Sequence, residues 1–272
     1  MISLVFAIFE LLMLCAVILC FLHAKKKGKT HLAELITLIV YGVVLEELTI
    51  LFFREYTYGT DFLLKIQDVP LSIGLGWAAI IYSAMETSDR LGMPHPVRPM
   101  FDVLLALNID LSMDAIAIRA GFWNWEKGGA WFGVPYGNFF GWICVVLFFS
   151  LTARWLREHP PRYDIFRPPI ILAGSILPLM LGLKIWTIYV PTILEGALVG
   201  GILVSFLFSV LFKTGGRFNA GIPDYNLLAV PFIFHIFFLI LFITAGIYVQ
   251  VPLLFPISLS MLVLGAAGHF PR

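Results

Sequence analysis

The sequence predicts an all-α bundle of membrane-crossing helices, and three observations carry that prediction. Of 272 residues, 60% are hydrophobic and only 13% charged, whereas an ordinary soluble domain carries roughly a quarter charged residues. Aromatic residues make up 15%, with 25 Phe and 7 Trp, and the mean hydropathy is +0.93. The apolar residues also fall into stretches of about 20, the length that crosses a bilayer. A chain so poor in charge cannot cover a water-facing surface. That excludes a soluble enzyme, a nucleic-acid binder and a disordered chain, and the net charge of +1 offers no basic footprint for nucleic acid.

Nine spans are expected, near 2–22, 34–53, 70–88, 100–120, 139–156, 168–183, 188–212, 227–249 and 252–270. Pro70 and the Pro168-Pro169 pair suit a first helical turn. The sixth stretch is short and holds Gly174, Pro178 and Gly182, so a kinked or shallow segment and eight spans are the alternative. Positive residues collect on the cytoplasmic side. With the N-terminus outside and the C-terminus in the cytoplasm, five of the 18 Lys and Arg (Arg54, Lys65, Arg119, Lys127 and Lys184) face outward and the other 13 face inward. The first span has its Lys cluster after the apolar run, unlike a cleavable signal peptide. Residues 1–272 read as a single integral domain of the cell membrane. Cys15, Cys20 and Cys144 lie in apolar stretches with no C-x-x-C pair, and so read as packing residues.

Carboxylates inside such spans are costly and must face the bundle interior. Glu10, Glu46, Glu47, Asp110, Asp114 and Glu195 are the candidates, and no intramembrane Lys or Arg matches them. Asp110 and Asp114 are four apart, on one helical face and about 6 Å apart along the axis. In a low dielectric at least one of that pair carries a proton, the state a general acid requires. Glu47, adjacent to Glu46, must point elsewhere on its helix. Hydrogen bonding to a neighbouring helix is the competing reading for each acid.

The loops on the same side are dense in aromatic residues. Four tryptophans (Trp123, Trp125, Trp131 and Trp142) fall within twenty residues, interleaved with glycines. Tyr56, Tyr58 and Trp77 lie nearby in the preceding loop and span. An interfacial aromatic belt would look similar. An acid beneath a roof of π faces is also what proton-initiated carbocation chemistry needs, since ring faces attract cations. Gly137-x-x-x-Gly141 and Gly196-x-x-x-Gly200 read as close helix packing. His235 reads as a hydrogen-bonded structural residue, and no metal, nucleotide or flavin motif is present.

At these residues the chain resembles the carotenoid biosynthesis protein family, whose members include hydratases of acyclic carotenoid ends. The resemblance rests on Tyr41-Gly42 with Glu46, on Tyr56-Thr57-Tyr58-Gly59, on Val69-Pro70-Leu71 leading to Trp77, on Asp110 and Asp114, and on Trp123-Asn124-Trp125. Its most specific part is the run from Phe132 to Trp142, which is similar to the family's G-V-P-x-x-N-x-x-G-W signature. It covers residues 35–145. Where the family often has Pro after the acid of the fourth span, Ala115 follows Asp114.

The resemblance implies addition of water across the terminal C=C of a long acyclic isoprenoid or carotenoid, with no cofactor and no metal. Asp114 or Glu46 would protonate the alkene, and Asp110, or the other of that pair, would steer water, with Glu47 a further candidate. Tyr56, Tyr58, Trp77, Trp123, Trp125, Trp131, Tyr136 and Trp142 would flank the cation, and Asn138 would hold water or brace an acid. The lipophilic substrate would enter from the lipid bilayer. An isoprenoid cyclase, a proton-coupled transporter and a non-catalytic carotenoid-binding protein are the rival readings, and no residue pattern sets an oligomeric state.

Overall fold

The computed structural model describes residues 4–218 and 224–269, and the chain is 78% helical. The helices are α1 (Leu4–Lys27), α2 (Lys29–Phe53), α3 (Leu71–Arg90), α4 (Arg98–Ala117), α5 (Tyr136–Glu158), α6 (Arg167–Tyr189), α7 (Thr192–Thr214), α8 (Tyr225–Thr244), the single turn α9 (Ile247–Gln250) and α10 (Leu254–His269). Proline and glycine mark most boundaries. Pro70, Pro135 and Pro191 stand immediately before α3, α5 and α7, and Pro168 and Pro169 occupy the first turn of α6. Gly28, at φ 116°, separates α1 from α2 with a single residue, a conformation open to glycine and closed to most side chains.

Among the described residues, six helices are long and apolar enough to cross a membrane: α1, α2, α5, α6 with its preceding turn, α7 and α8. Three of the nine expected spans fall outside that set. The α10 helix has 16 residues, about 24 Å at 1.5 Å per residue, which is short of a hydrocarbon core of about 30 Å. The expected stretch 227–249 is divided, because α8 stops at Thr244 and Gly246 turns the chain into α9. The α3 and α4 helices form where expected but are too polar. The reason is position: 15 of the 20 residues in each are buried, against Val199 and Val210 alone in α7. Helices wrapped by protein need no lipid-facing side chains, so they can carry Ser72, Ser83, Glu86, Asp102, Asp110 and Asp114. The α6 helix, expected to be short, runs 23 residues through Pro178.

At the centre, α3 packs against α1, α2, α4 and α8, and α4 packs against α3, α5, α7, α8 and α10. The α6 helix lies outside, on α5 and α2, and α7 rests on α4 and α5. Their outer faces carry exposed Leu177, Leu181, Ile185, Val204, Phe208 and Phe212.

Among the described residues, two ribbons interrupt the all-α plan. Strand β1 (Tyr56–Tyr58) pairs antiparallel with β4 (Trp123–Trp125), placing Tyr56 opposite Trp125 and Tyr58 opposite Trp123. Side chains alternate along a strand, so Thr57 and Asn124 are exposed while all four rings share the inner face. Strands β2 (Lys65–Ile66) and β3 (Val69–Pro70) form a hairpin. Glu10 and Glu47 hold this loop. Glu10 accepts from the backbone N–H of Leu63 at 3.1 Å, and Glu47 accepts from those of Asp68 at 2.8 Å and Val69 at 3.1 Å.

The far ends of the four helices α2–α5 meet in an ion network. Arg157 pairs with Glu34 at 2.6 Å, Asp89 at 2.7 Å and Glu86 at 3.1 Å. Arg154 pairs with Asp89 and, at 2.9 Å, with Asp102, while Arg98 reaches Asp89 at 3.0 Å. Ser88 and Ser150 donate to Asp102, at 2.5 and 2.6 Å.

Candidate active site

Glu46 lies 12 residues beyond Glu34 on α2, and Asp114 12 residues beyond Asp102 on α4. Each is therefore about 18 Å along its helix from the ion network. At this end the four helices do not close on one another. They leave a cavity of about 700 Å³, within the range of small-molecule sites. Helical spacing selects the lining: Leu45, Glu46, Thr49 and Phe53 from α2; Ile73, Gly76, Trp77 and Ile80 from α3; Asp110, Met113 and Asp114 from α4; Gly137, Asn138, Gly141, Trp142 and Val145 from α5. These follow the three-and-four-residue steps of one helix face.

Three buried carboxyl groups share this cavity, and their hydrogen bonds differ. Glu46 accepts on both oxygens, from Trp77 Nε1 at 2.6 Å and from the Tyr56 hydroxyl. Burial, then the adjacent Glu46, holds the Tyr56 phenol well above its usual range, so it remains a donor. Asp114 also accepts on both oxygens, from Trp123 Nε1 and from Asn138 Nδ2 at 2.8 Å. The same Asn138 amide donates to Asp110 Oδ2 at 3.1 Å, and Asp110 Oδ1 is buried with no hydrogen-bond partner among the described residues. Among the described residues, no ion pair involves any of the three. Arg119, the nearest cation by sequence, donates instead to the carbonyls of Ala115 and Phe132, at 2.7 and 2.8 Å. No group of three His, Cys, Asp or Glu side chains among the described residues is arranged to hold a metal ion.

The ribbon β1–β4 forms part of the aromatic wall. Tyr56, Tyr58, Trp123 and Trp125 line the cavity, with the Tyr56 and Trp125 ring centroids 4.9 Å apart. Trp77 and Trp142, also lining it, stand 4.2 Å apart at 44°.

Three of the expected site residues lie elsewhere. Glu47 braces the β2–β3 hairpin, since its position next to Glu46 turns it about 100° around the helix. Trp131 donates from Nε1 to the Leu111 carbonyl at 2.9 Å and packs its ring on Phe132 and Phe139, fastening the loop and not facing the cavity. The Tyr136 ring covers Gly196 of α7, where a Cβ would stand 2.9 Å from two ring carbons. That contact explains Gly196; Gly200 has nothing near it. Gly137 and Gly141 do face a helix, α6, through Trp186 and Leu183, and they line the cavity as well.

Several walls were not expected from the sequence. Phe9 and Met13 of α1 and Phe234 of α8 close one side of the cavity. Leu179, Leu183, Trp186 and Thr187 of α6 and Val190 just after it, with Thr192 and Glu195 of α7, form the other, where Thr187 and Thr192 are exposed. Glu55, Lys127, Gly128 and Gly129 complete the mouth. Of these, only Glu195 carried a sequence signal, as an acid within an apolar stretch; the rest are ordinary apolar or loop residues.

No curated protein and no solved structure is significantly similar to this chain. A family model described as carotenoid biosynthesis protein matches residues 4–212, well beyond the 35–145 that carry the quoted motifs. The helices able to span a membrane fit a membrane protein. Because the match runs from the first turn of α1 into the last turn of α7, and so takes in every wall of the cavity except Phe234, the chain belongs to the carotenoid biosynthesis protein family and its role lies in carotenoid biosynthesis.

Proposed function

We propose that the protein is a multi-pass membrane enzyme that hydrates the terminal C=C of a long acyclic isoprenoid, with α3 and α4 enclosed among the crossing helices. The observation that carries this reading is the grouping of three carboxyl groups, with no ion-pair partner among the described residues, in one aromatic-walled cavity. Among their six oxygens, Asp110 Oδ1 alone lacks a donor from the described residues, which makes it the place for a proton. Glu46 and Asp114, each accepting on both oxygens, suit the ionised form.

Asp110 gives its proton to the less substituted alkene carbon, and the π electrons form the new C–H bond. The positive charge rests on the tertiary carbon. The faces of Trp77, Trp142, Tyr56 and Trp125 stabilise it, each by about 2 kcal/mol in a desolvated site. Water bonds to that carbon, and the resulting oxonium gives a proton to Glu46. Return of this proton to Asp110 restores the enzyme, and the net change is one water added. The charged mouth at Glu55, Lys127 and Glu195 supports hydration over cyclisation, because it offers water a route that an apolar mouth would not. The charge asymmetry of the loops supports placing this end on the outer side, with the N-terminus outside and the C-terminus cytoplasmic.

Expression in a host that accumulates lycopene tests the reading. The expected outcome is a pigment heavier by one water or more. An unchanged pigment, or one isomeric with lycopene, counts against hydration, and the isomer would indicate a cyclase.

A further inference from the structure

The cavity is closed at one end and open at the other, and the carboxyl groups lie between. Packing order gives this arrangement: α1, α3 and α8 meet on one side, α6 and α7 lie on the other, and α2, α4 and α5 stand between them. The closed end is apolar and fully covered, with Met13 at 0% exposure and Phe9, Phe234 and Ile80 at 2%, 2% and 3%. Gly76 faces Met13 and Phe234 there, and a Cβ on it would stand 3.3 Å from Met13 Sδ and 3.9 Å from Phe234 Cζ. Gly76 directly precedes Trp77, the donor to Glu46, so this end lies beside the acids. The open end passes Leu179, Leu183 and Val190 to exposed Thr187 and Thr192.

We propose that Met13, Gly76, Ile80 and Phe234 form the end-group pocket, which receives the terminal branched isoprene unit and sets the terminal C=C against the carboxyl groups. The chain enters end first, and its remainder runs out past α6 toward the lipid. The missing side chain at Gly76 sets the pocket's width, so these residues determine specificity without touching a proton in the reaction. The inference rests on the hydratase reading.

The test compares Gly76→Leu and Phe234→Trp, which fill the closed end from α3 and from α8, with Asp110→Asn, all made in full-length protein and assayed on lycopene. Amounts in the membrane and melting temperatures are measured alongside. The expected result is a loss of conversion of at least 10-fold in both filling variants, and recovery of Gly76→Leu when Met13→Ala is added to make room. Phe234→Trp provides the measurement should Gly76→Leu not accumulate. Near-normal conversion in a filled pocket, or a failure of Met13→Ala to restore folded Gly76→Leu, overturns the end-group pocket. If Asp110→Asn is inactive in the same assay, the hydratase reading stands while the pocket falls. If Asp110→Asn is active too, the reading itself falls.

Discussion

Asn138 illustrates how one side chain sets the chemistry of two others. Its amide donates to Asp110 and to Asp114, four residues apart on one helix face, leaving Asp110 with a bare oxygen. Two carboxylates at this spacing repel when both are ionised, and that repulsion favours one proton for the pair, while the shared donor holds the two side chains together. Positioned proton transfer contributes about 10²–10⁴ in rate. Asp110→Asn and Glu46→Gln are accordingly expected to lower turnover by about 100-fold or more with normal membrane insertion, as measured by product formed per unit of extracted protein. Asn138→Leu leaves both acids in place but removes the shared donor, and a smaller fall of about 10-fold is expected in the same assay. Equal turnover in all three variants and the parent would remove acid catalysis from this cavity.

At the scale of elements, the four helices α2–α5 divide their polar residues between two ends. At one end Arg98, Arg154 and Arg157 neutralise Glu34, Glu86, Asp89 and Asp102; at the other Glu46, Asp110 and Asp114 form no ion pair among the described residues. Anchoring one end holds the helices in register while the other remains open. Arg154→Leu leaves Asp102, at 0% exposure, with its serine donors and no charge partner. Removing one member of a buried pair costs about 3–5 kcal/mol. A clear drop in the detergent-solubilised melting temperature is expected for Arg154→Leu, and almost none for Arg162→Leu, whose guanidinium lies on the chain surface over Tyr163. Comparable melting of the two variants would mean that the network does not anchor the bundle. The ribbon is the other element that matters for the site. Its alternation, Tyr56-Thr57-Tyr58 against Trp123-Asn124-Trp125, turns four rings from two distant loops onto one face.

For the whole molecule, the proposed hydration requires a hydrocarbon substrate and water to reach the same carbon by different routes. The apolar exterior of α6 and α7 suits the first, and the charged mouth at Glu55 and Lys127 the second. The proposed orientation is testable on single cysteines placed at Asn124, on the exposed edge of the ribbon, and at Arg162, in the loop before α6, in a background free of the native cysteines. A membrane-impermeant thiol reagent on intact cells is expected to label the first and not the second; the reverse pattern inverts the topology.

Much of this was legible in the chain itself, because it depends on local properties. Apolar stretches, proline boundaries and the cost of a carboxylate in hydrocarbon identify helices and acids wherever they lie, and the aromatic signature identifies the loops. What they could not settle was which faces meet. Glu47 and Trp131 looked as suitable as Glu46 and Trp123, yet helix phase and loop closure turned them to bracing roles. The pairing of Tyr56–Tyr58 with Trp123–Trp125, the covering of α3 and α4, and the walls supplied by α1, α6, α7 and α8 are contacts between residues far apart in the chain. Such contacts form only when every helix packs at once, and that collective packing separates the neutralised end from the open one.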